Sequence, residues 1–271
     1  MTTYIFDNTV EVETAQRFNS LDTLYNPRTF HYLDATGIRA GWRCLEIGGG
    51  SGSVAAWLAE RVGQSGNVLV TDIEPRFIEA ATRQNKRGNV EVRRHDIGTD
   101  PLPEGAFDLI HVRLVLLHVP QRHQALERLV RALKPGGWLV IEEFDGRLFD
   151  RAIPTSKTIE AAAFGKMMRA LFQLMDDRGF EAEWARQLYG RLKLAGLIEV
   201  GMEGHVAVRE GGNPGASLDA ANFAQIRREA VAKGLITDAE VEAILKRLES
   251  PDFVIFSPVM FTAWGRRCPI K

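Results

Sequence analysis

The chain reads as an α/β protein built on a doubly wound, mostly parallel sheet. From residue 42 onward, short apolar runs alternate with amphipathic stretches of helical length, which is the pattern of successive βαβ units with right-handed crossovers. The runs are apolar at nearly every position rather than at every second one, as strands covered on both faces must be. The first run ends in LEIGGGSGS (45–53), a glycine turn that feeds directly into a helical segment. Such turns seat nucleotides at the C-terminal ends of strands.

RFNSLDTLYNPRTFHYL (17–33) precedes the alternation and reads as helical pieces broken at Pro27, where the ring removes a donor and crowds the preceding turn. WRCLEI (42–47) is the first strand and SVAAWLAERV (53–62) the first crossover helix. NVLVTDI (67–73) is the second strand; the next helix has Pro75 near its first turn and Gly88 as its stop. NVEVRRHDI (89–97) and FDLIHVR (107–113) follow as strands, and a helix opened by Pro120 runs to Leu133. KPGG then stops that helix before the fifth strand, WLVIEEFD (138–145).

After residue 146 the alternation breaks. A long helix is expected over 155–178, a second over about 182–195, and a strand over 196–208. Beyond a GGNP loop come helices over about 217–233 and 237–249, with start signals in Ser217 and Thr237-Asp238. The last strand, 257–265, has Pro258 at its tolerant beginning.

Composition narrows the function. The 271 residues suffice for one large α/β domain or two small ones, and 45% of them are apolar. Lys and Arg number 34 against 35 Asp and Glu, a balance that makes no electrostatic case for nucleic acid. Arg83 to Arg87 and Arg93-Arg94 read as scattered surface charge. Cys44 and Cys268, one in a strand pattern and one in the tail, suggest neither a disulfide framework nor a metal site. MTTYIFDNTVEVE lacks a basic region followed by an apolar run, and no apolar stretch has membrane-spanning length. The expectation is a soluble cytoplasmic protein with no membrane partner.

The glycine turn has the form Glu46-x-Gly48-x-Gly50-x-Gly52, with Gly49 inside it. The nicotinamide fingerprint would use Gly48 and Gly50 but meets Ser53 at its third glycine position. Charge separates the ligands further. A pyrophosphate at a helix N-terminus seeks N–H groups and positive potential, and Glu46 would repel it. S-adenosylmethionine carries a sulfonium and an ammonium but no phosphate, so for that ligand the glutamate is favourable.

These segments together resemble the class I S-adenosylmethionine-dependent methyltransferases over roughly residues 42–145. LEIGGGSG resembles that family's first motif, VTDIEP its second, RRHDIGTDPLP its third, FDLIHVRLVLLHVP its fourth strand and exit, and LKPGGWLVIEE its fifth strand. The resemblance implies a Rossmann-like seven-stranded sheet with an antiparallel last strand. It also implies an N-terminal helical lid over residues 1–40, a methyltransferase domain over 41–271, and helical insertions at about 150–195 and 212–250 as a substrate cap. S-adenosyl-L-methionine is the implied cofactor and a small molecule the methyl acceptor, with a homodimer allowed for.

Residue by residue, the resemblance places Asp72 on the ribose hydroxyls with Ile73 beside it, and Asp96 on the adenine amino group with Ile97 beside the ring. Structural readings stand next to these. Asp72 also suits a helix N-cap, Asp96 a turn, and Glu46 an anchor for the loop. Arg113, at the exit of the fourth strand, suits the methionine end of the cofactor, a substrate or solvent. His118 lies at the mouth of the cleft, where an imidazole can serve as general base near neutral pH; packing beside the cofactor is the other reading. His111, inside the strand, reads as a satisfied core or interstrand histidine. Glu142, Glu143 and Asp145 face a polar substrate or solvent.

The resemblance also implies Tyr4, Tyr25 and His31 as lid candidates and Arg17 as a partner for the cofactor carboxylate. Met167, Met168, Phe172 and Met175 line an apolar substrate chamber, or else belong to a core or a subunit interface. No Asp/Asn set suggests a metal. The implied reaction is in-line attack of an O, N or C nucleophile on the methyl carbon. The rivals are an NAD(P)-dependent oxidoreductase and a homologue that binds the cofactor without methylating.

Overall fold

The computed structural model describes residues 11–85, 88–146 and 158–269. Its main sheet has seven strands in the order β3-β2-β1-β4-β5-β9-β6. These are β1 (Arg43–Ile47), β2 (Asn67–Asp72), β3 (Val90–Arg94), β4 (Phe107–Arg113), β5 (Leu133–Asp145), β6 (Leu197–His205) and β9 (Val259–Arg267). β1 pairs in parallel with β2 and β4, β2 with β3, and β4 with β5. Thr262 bonds Glu142, Arg266 bonds the Gly136 carbonyl and Arg267 the Leu133 carbonyl, so β9 runs antiparallel to β5.

The chain divides into two compact units. One contains Tyr25–Glu143, Trp184–Gly204 and Phe261–Lys271; the other contains Met1–Leu24, Phe144–Glu183 and His205–Met260. The first boundary between the units falls after Leu24.

In the sheet unit, α2 (Ser53–Val62) buries Val54, Ala55, Leu58, Ala59 and Val62 against Cys44, Val68 and Val70. The spacing is that of one helical face on a strand layer buried on both sides, and each such side chain contributes about 1.5–3 kcal/mol. α3 (Arg76–Asn85), α4 (Arg122–Ala132) and α6 (Trp184–Leu194) complete this unit's crossover and flanking helices.

The segment around Pro27 departs from expectation: α1 (Glu11–Ala35) is one continuous helix with Pro27 inside it. Side chains on both sides of the proline tie it down. Asn26 donates to Ser53 Oγ at 3.0 Å, Thr29 to Glu142 at 2.5 Å, and the Tyr32 hydroxyl to Glu203 at 2.7 Å. Phe30 stacks on Trp57, with ring centroids 4.8 Å apart. Tertiary bonds outweigh the roughly 3 kcal/mol cost of an interior proline.

β5 also begins earlier than expected. Leu133 pairs with Phe107 and the register shifts before Leu109, so KPGG, which follows the helix end at Ala132, is an irregular part of the strand. Gly137 lets the carbonyls of Phe107, Lys134 and Asp108 approach within 2.9–3.1 Å of where a Cβ would stand.

In the other unit, α5 (Thr158–Asp176), α7 (Pro214–Ala232) and α8 (Asp238–Arg247) pack around Phe164. Its ring meets Phe223 at 5.8 Å and Phe253 at 5.9 Å, both edge-on. α7 starts at Pro214, three residues before Ser217, because Asn213 caps it, accepting from Gly215 and Ala216. Thr237 and Glu240 form a capping box at α8. The expected strand at 196–208 is split into β6 and β7 (Val208–Glu210), and β7 pairs antiparallel with β8 (Val254–Phe256). Sequence reading had not separated this small second sheet.

Candidate functional site

β1 delivers the chain to three glycines in the left-handed region: Gly48 at φ 70°, Gly50 at 51° and Gly52 at 82°. A Cβ on Gly48 would stand 2.3 Å from Val115 Cγ2, and one on Gly49 2.3 Å from Val70 Cγ2. The N–H groups of Gly48 and Gly49 both donate to the Thr71 carbonyl, at 2.8 and 3.1 Å. Gly52 gives α2 no side-chain cap; Ser51 Oγ takes the Ser53 N–H at 3.2 Å.

Asp72, at the end of β2, closes the loop from the other side. Its Oδ2 accepts from Gly50 N at 3.3 Å and its Oδ1 from Glu74 N at 2.9 Å. The second bond is an Asx turn ahead of α3 rather than a helix cap. Burial raises its pKa, opposed by the backbone N–H groups of Glu74, Gly50 and Ile73. A carboxylate has about four acceptor positions, so these backbone groups leave about one of them open. Ile73, beside it, is 53% exposed, although it is a large apolar residue.

A buried charge cluster lies beneath the loop. The β1–β4 register sets Glu46 beside His111, and the β4–β5 register sets Arg113 beside Glu142. His111 is fully buried, with Nδ1 2.7 Å from Glu46 Oε2 and Nε2 3.1 Å from Glu142 Oε2. Burial opposes its protonation, but the Glu46 charge and bonds to both glutamates prevail and raise its pKa to about 9. Burial likewise works against the Glu142 charge, yet His111 above all, then Arg113 and Thr29, hold its pKa below the ordinary value.

Glu142 also accepts from Thr29 at 2.5 Å and Thr262 at 3.0 Å. Arg113 Nη1 donates to Asn26 at 2.9 Å and Thr29 at 3.0 Å, so its guanidinium joins α1 and does not simply face solvent. Glu142, Glu143 and Asp145 are all buried, which removes the solvent alternative of the two that the sequence offers for them. His111 is the interstrand histidine expected.

Between β4 and α4 the chain turns sharply. Leu114 has φ 56°, an uncommon conformation for a bulky residue that costs about 1–3 kcal/mol and clusters at functional sites. A 3-10 turn, Leu116–His118, follows, and His118 is half-buried at its end. Glu143 Oε1 accepts from the N–H groups of Leu116 at 2.8 Å and Leu117 at 3.4 Å, capping that turn. Burial pushes Glu143 up to about 8, against the pull of those N–H groups and Arg122.

The remaining candidates are spread along the chain. Asp96 is exposed, with Oδ1 accepting from Gly98 N at 2.8 Å, and Ile97 is buried. Tyr25 is buried, and His31 is exposed with its ring edge-on to Tyr32. In the other unit, Arg17 is buried, with its guanidinium 5.7 Å from the Phe18 ring. Met167, Met168 and Met175 are buried, while Phe172 is half-buried, 5.9 Å from the Phe180 ring; packing within that unit accounts for this stripe. Tyr4 lies outside the described residues.

The loop's partners were missed in the sequence. A signal existed for His111 and Glu142, which are polar positions inside apolar strands. Thr29, Asn26 and Thr262 carry no such signal. Among the described residues no group of three or more His, Cys, Asp or Glu is disposed to hold a metal, and no helix is long and apolar enough to cross a membrane.

Comparison with known proteins identifies the scaffold. A family described as "Methyltransferase domain" matches residues 45–141. The chain is 31% identical over 179 residues to the ubiquinone/menaquinone biosynthesis C-methyltransferase UbiE of Vibrio vulnificus, covering 63% of this chain and 68% of that protein. It is 30% identical over 151 residues to the Cronobacter sakazakii protein of the same name, covering 54% and 59%. The chain thus spans about three-fifths to two-thirds of the length of these curated relatives. Its fold is similar to that of the Haemonchus contortus phosphoethanolamine N-methyltransferase 2 solved with phosphomonomethylethanolamine and S-adenosylhomocysteine. That match has a TM-score of 0.61 and 14% identity, over 99% of this chain and 61% of that one. With its sheet order, glycine loop and these relatives, the chain belongs to the class I S-adenosylmethionine-dependent methyltransferases.

Proposed function

We propose that the protein transfers the methyl group of S-adenosylmethionine to an oxygen, nitrogen or carbon nucleophile of a small, partly hydrophobic acceptor. The observation that carries this reading is the pair of carboxylates, Glu46 and Asp72, bracketing a loop with no room for a Cβ at Gly48 or Gly49. That cradle suits a cationic nucleoside and disfavours a pyrophosphate. The C-methyltransferase name of the relatives favours carbon among the three acceptor atoms.

The bound cofactor supplies a methyl group on a sulfonium sulfur, already activated for displacement. The chain's residues have to bind, orient and exclude water. In this reading Asp72 takes the ribose diol, with the exposed Ile73 beside it. Asp96 and Ile97 meet the adenine, and Glu46 the ammonium. Arg113 aligns the strand exit by its bonds to Asn26 and Thr29. His118 takes a proton from the acceptor where the nucleophile carries one.

The protein works in the cytoplasm on a small molecule.

Transfer of a labelled methyl group into a panel of small acceptors tests the activity. Binding of NAD without binding of S-adenosylhomocysteine would overturn the reading. Asp72→Ala is expected to weaken S-adenosylhomocysteine about tenfold or more in calorimetry, through loss of charge-assisted hydrogen bonds; unchanged affinity removes the ribose assignment. His118→Ala is expected to lower kcat by roughly 10²–10⁴-fold with cofactor affinity unchanged. A variant that keeps full kcat on a protonated acceptor would show that the base lies elsewhere.

A further inference from the structure

The arrangement around His111 asks more of that residue than strand packing does. Both of its ring nitrogens lie on carboxylate oxygens, Nδ1 on Glu46 at 2.7 Å and Nε2 on Glu142 at 3.1 Å. An ionised carboxylate only accepts hydrogen bonds, and a neutral imidazole has one donor and one acceptor nitrogen. A neutral ring would therefore turn a lone pair toward one of the two glutamates in a site closed to water. A doubly protonated ring satisfies both.

The ring is also held from behind. Glu142 is fixed by Thr29 and Thr262, and Thr29 in turn accepts from Arg113. The charged groups facing His111 are thus Glu46 on β1 and Glu142 on β5, with Arg113 of its own strand next to Glu142. The same set of bonds reaches the far side of the glycine loop, because Asn26 accepts from Arg113 and donates to Ser53, the first residue of α2. Glu46 precedes the loop and Ser53 follows it, so one polar network brackets the loop at both ends. Among the described residues His111 is the donor to Glu46, and it takes Oε2, which leaves Oε1 for a ligand.

We propose that His111 is a positioning residue for cofactor binding, an interior imidazolium clamped between Glu46 and Glu142 that aims the free Glu46 oxygen at the cofactor's ammonium group. This rests on the reading of Glu46 given under Proposed function. Packing alone would make His111 matter equally for every adenosine ligand. Positioning makes it matter only for ligands that carry the amino-acid end.

The test compares S-adenosylhomocysteine, which has the ammonium, with 5′-methylthioadenosine, which lacks it, on the full chain, Glu46→Gln and His111→Gln. His111→Gln is expected to weaken S-adenosylhomocysteine about tenfold while 5′-methylthioadenosine stays within about twofold, the measure also showing that the variant is folded. Glu46→Gln is expected to show the same split. An equal loss for both ligands, or no loss, in His111→Gln overturns the proposal while Glu46→Gln still discriminates. If Glu46→Gln does not discriminate, the ammonium assignment fails and the proposal with it. Nitrogen NMR of the unsubstituted protein gives an answer independent of any variant: both His111 ring nitrogens carry protons near neutral pH, and a neutral ring would refute the clamp.

Discussion

Replacing Glu142 by alanine is expected to destabilise the protein by about 3–5 kcal/mol, the usual cost of removing one partner from a buried charge cluster. The substitution strips acceptors from His111, Thr29 and Thr262 at once and leaves the His111 charge dependent on Glu46. For a chain of this size the loss corresponds to a Tm lower by roughly 10 °C, readable by thermal or urea unfolding. Thr262→Val, which removes one neutral donor to the same carboxylate, should cost only about 1 kcal/mol. Equal effects from the two variants would mean that the cluster is not held by charge.

The difference between the unsubstituted protein and Glu142→Ala also depends on pH. His111 has a folded pKa of about 9 against an ordinary 6.5, so its contribution is fully present below 6.5 and is lost as pH rises through about 9. Glu142 lies below its ordinary 4.5, so its contribution is present above 4.5 and is lost as pH falls through the folded value. The gap is therefore expected to be widest between pH 4.5 and 6.5 and to narrow above 9 to what the lost Thr29 and Thr262 bonds contribute. A gap constant across that range would refute the protonated ring.

Gly48→Ala is the second large effect. A left-handed φ of 70° costs an alanine about 1–2 kcal/mol, and its Cβ 2.3 Å from Val115 Cγ2 adds overpacking of about 1–3 kcal/mol. Relief requires moving either the loop or the turn that carries His118, so the variant should lose affinity for S-adenosylhomocysteine as well as stability. Adding Val115→Ala removes the colliding methyl and is expected to restore the overpacking part only, leaving the backbone strain. Full recovery in the double variant would show that φ carries no cost there, and no recovery that the clash is absorbed elsewhere.

Much of the fold was legible because its signals are local. α2 and β4 fall on their expected residues, and the other core strands lie within a few residues of theirs, since apolar run length and glycine placement are written in adjacent positions. The glycine loop was legible for the same reason. Misread segments share one cause. Pro27, KPGG and the start of α7 each carry a strong local breaker or starter that distant partners or an earlier cap overrule: Glu142 and Ser53 beside Pro27, Phe107 opposite Leu133, Asn213 ahead of Ser217.

The sequence by itself determined the doubly wound sheet, the place of the glycine loop and the family to which the chain belongs. It could not determine what Glu46 does inside the protein. Only the tertiary structure decided that, by bringing positions 29, 46, 111, 142 and 262 from five separate elements into hydrogen-bond contact. A buried carboxylate takes its charge, orientation and partner from neighbours in space, and strand register, which sets those neighbours, is a property of the assembled sheet.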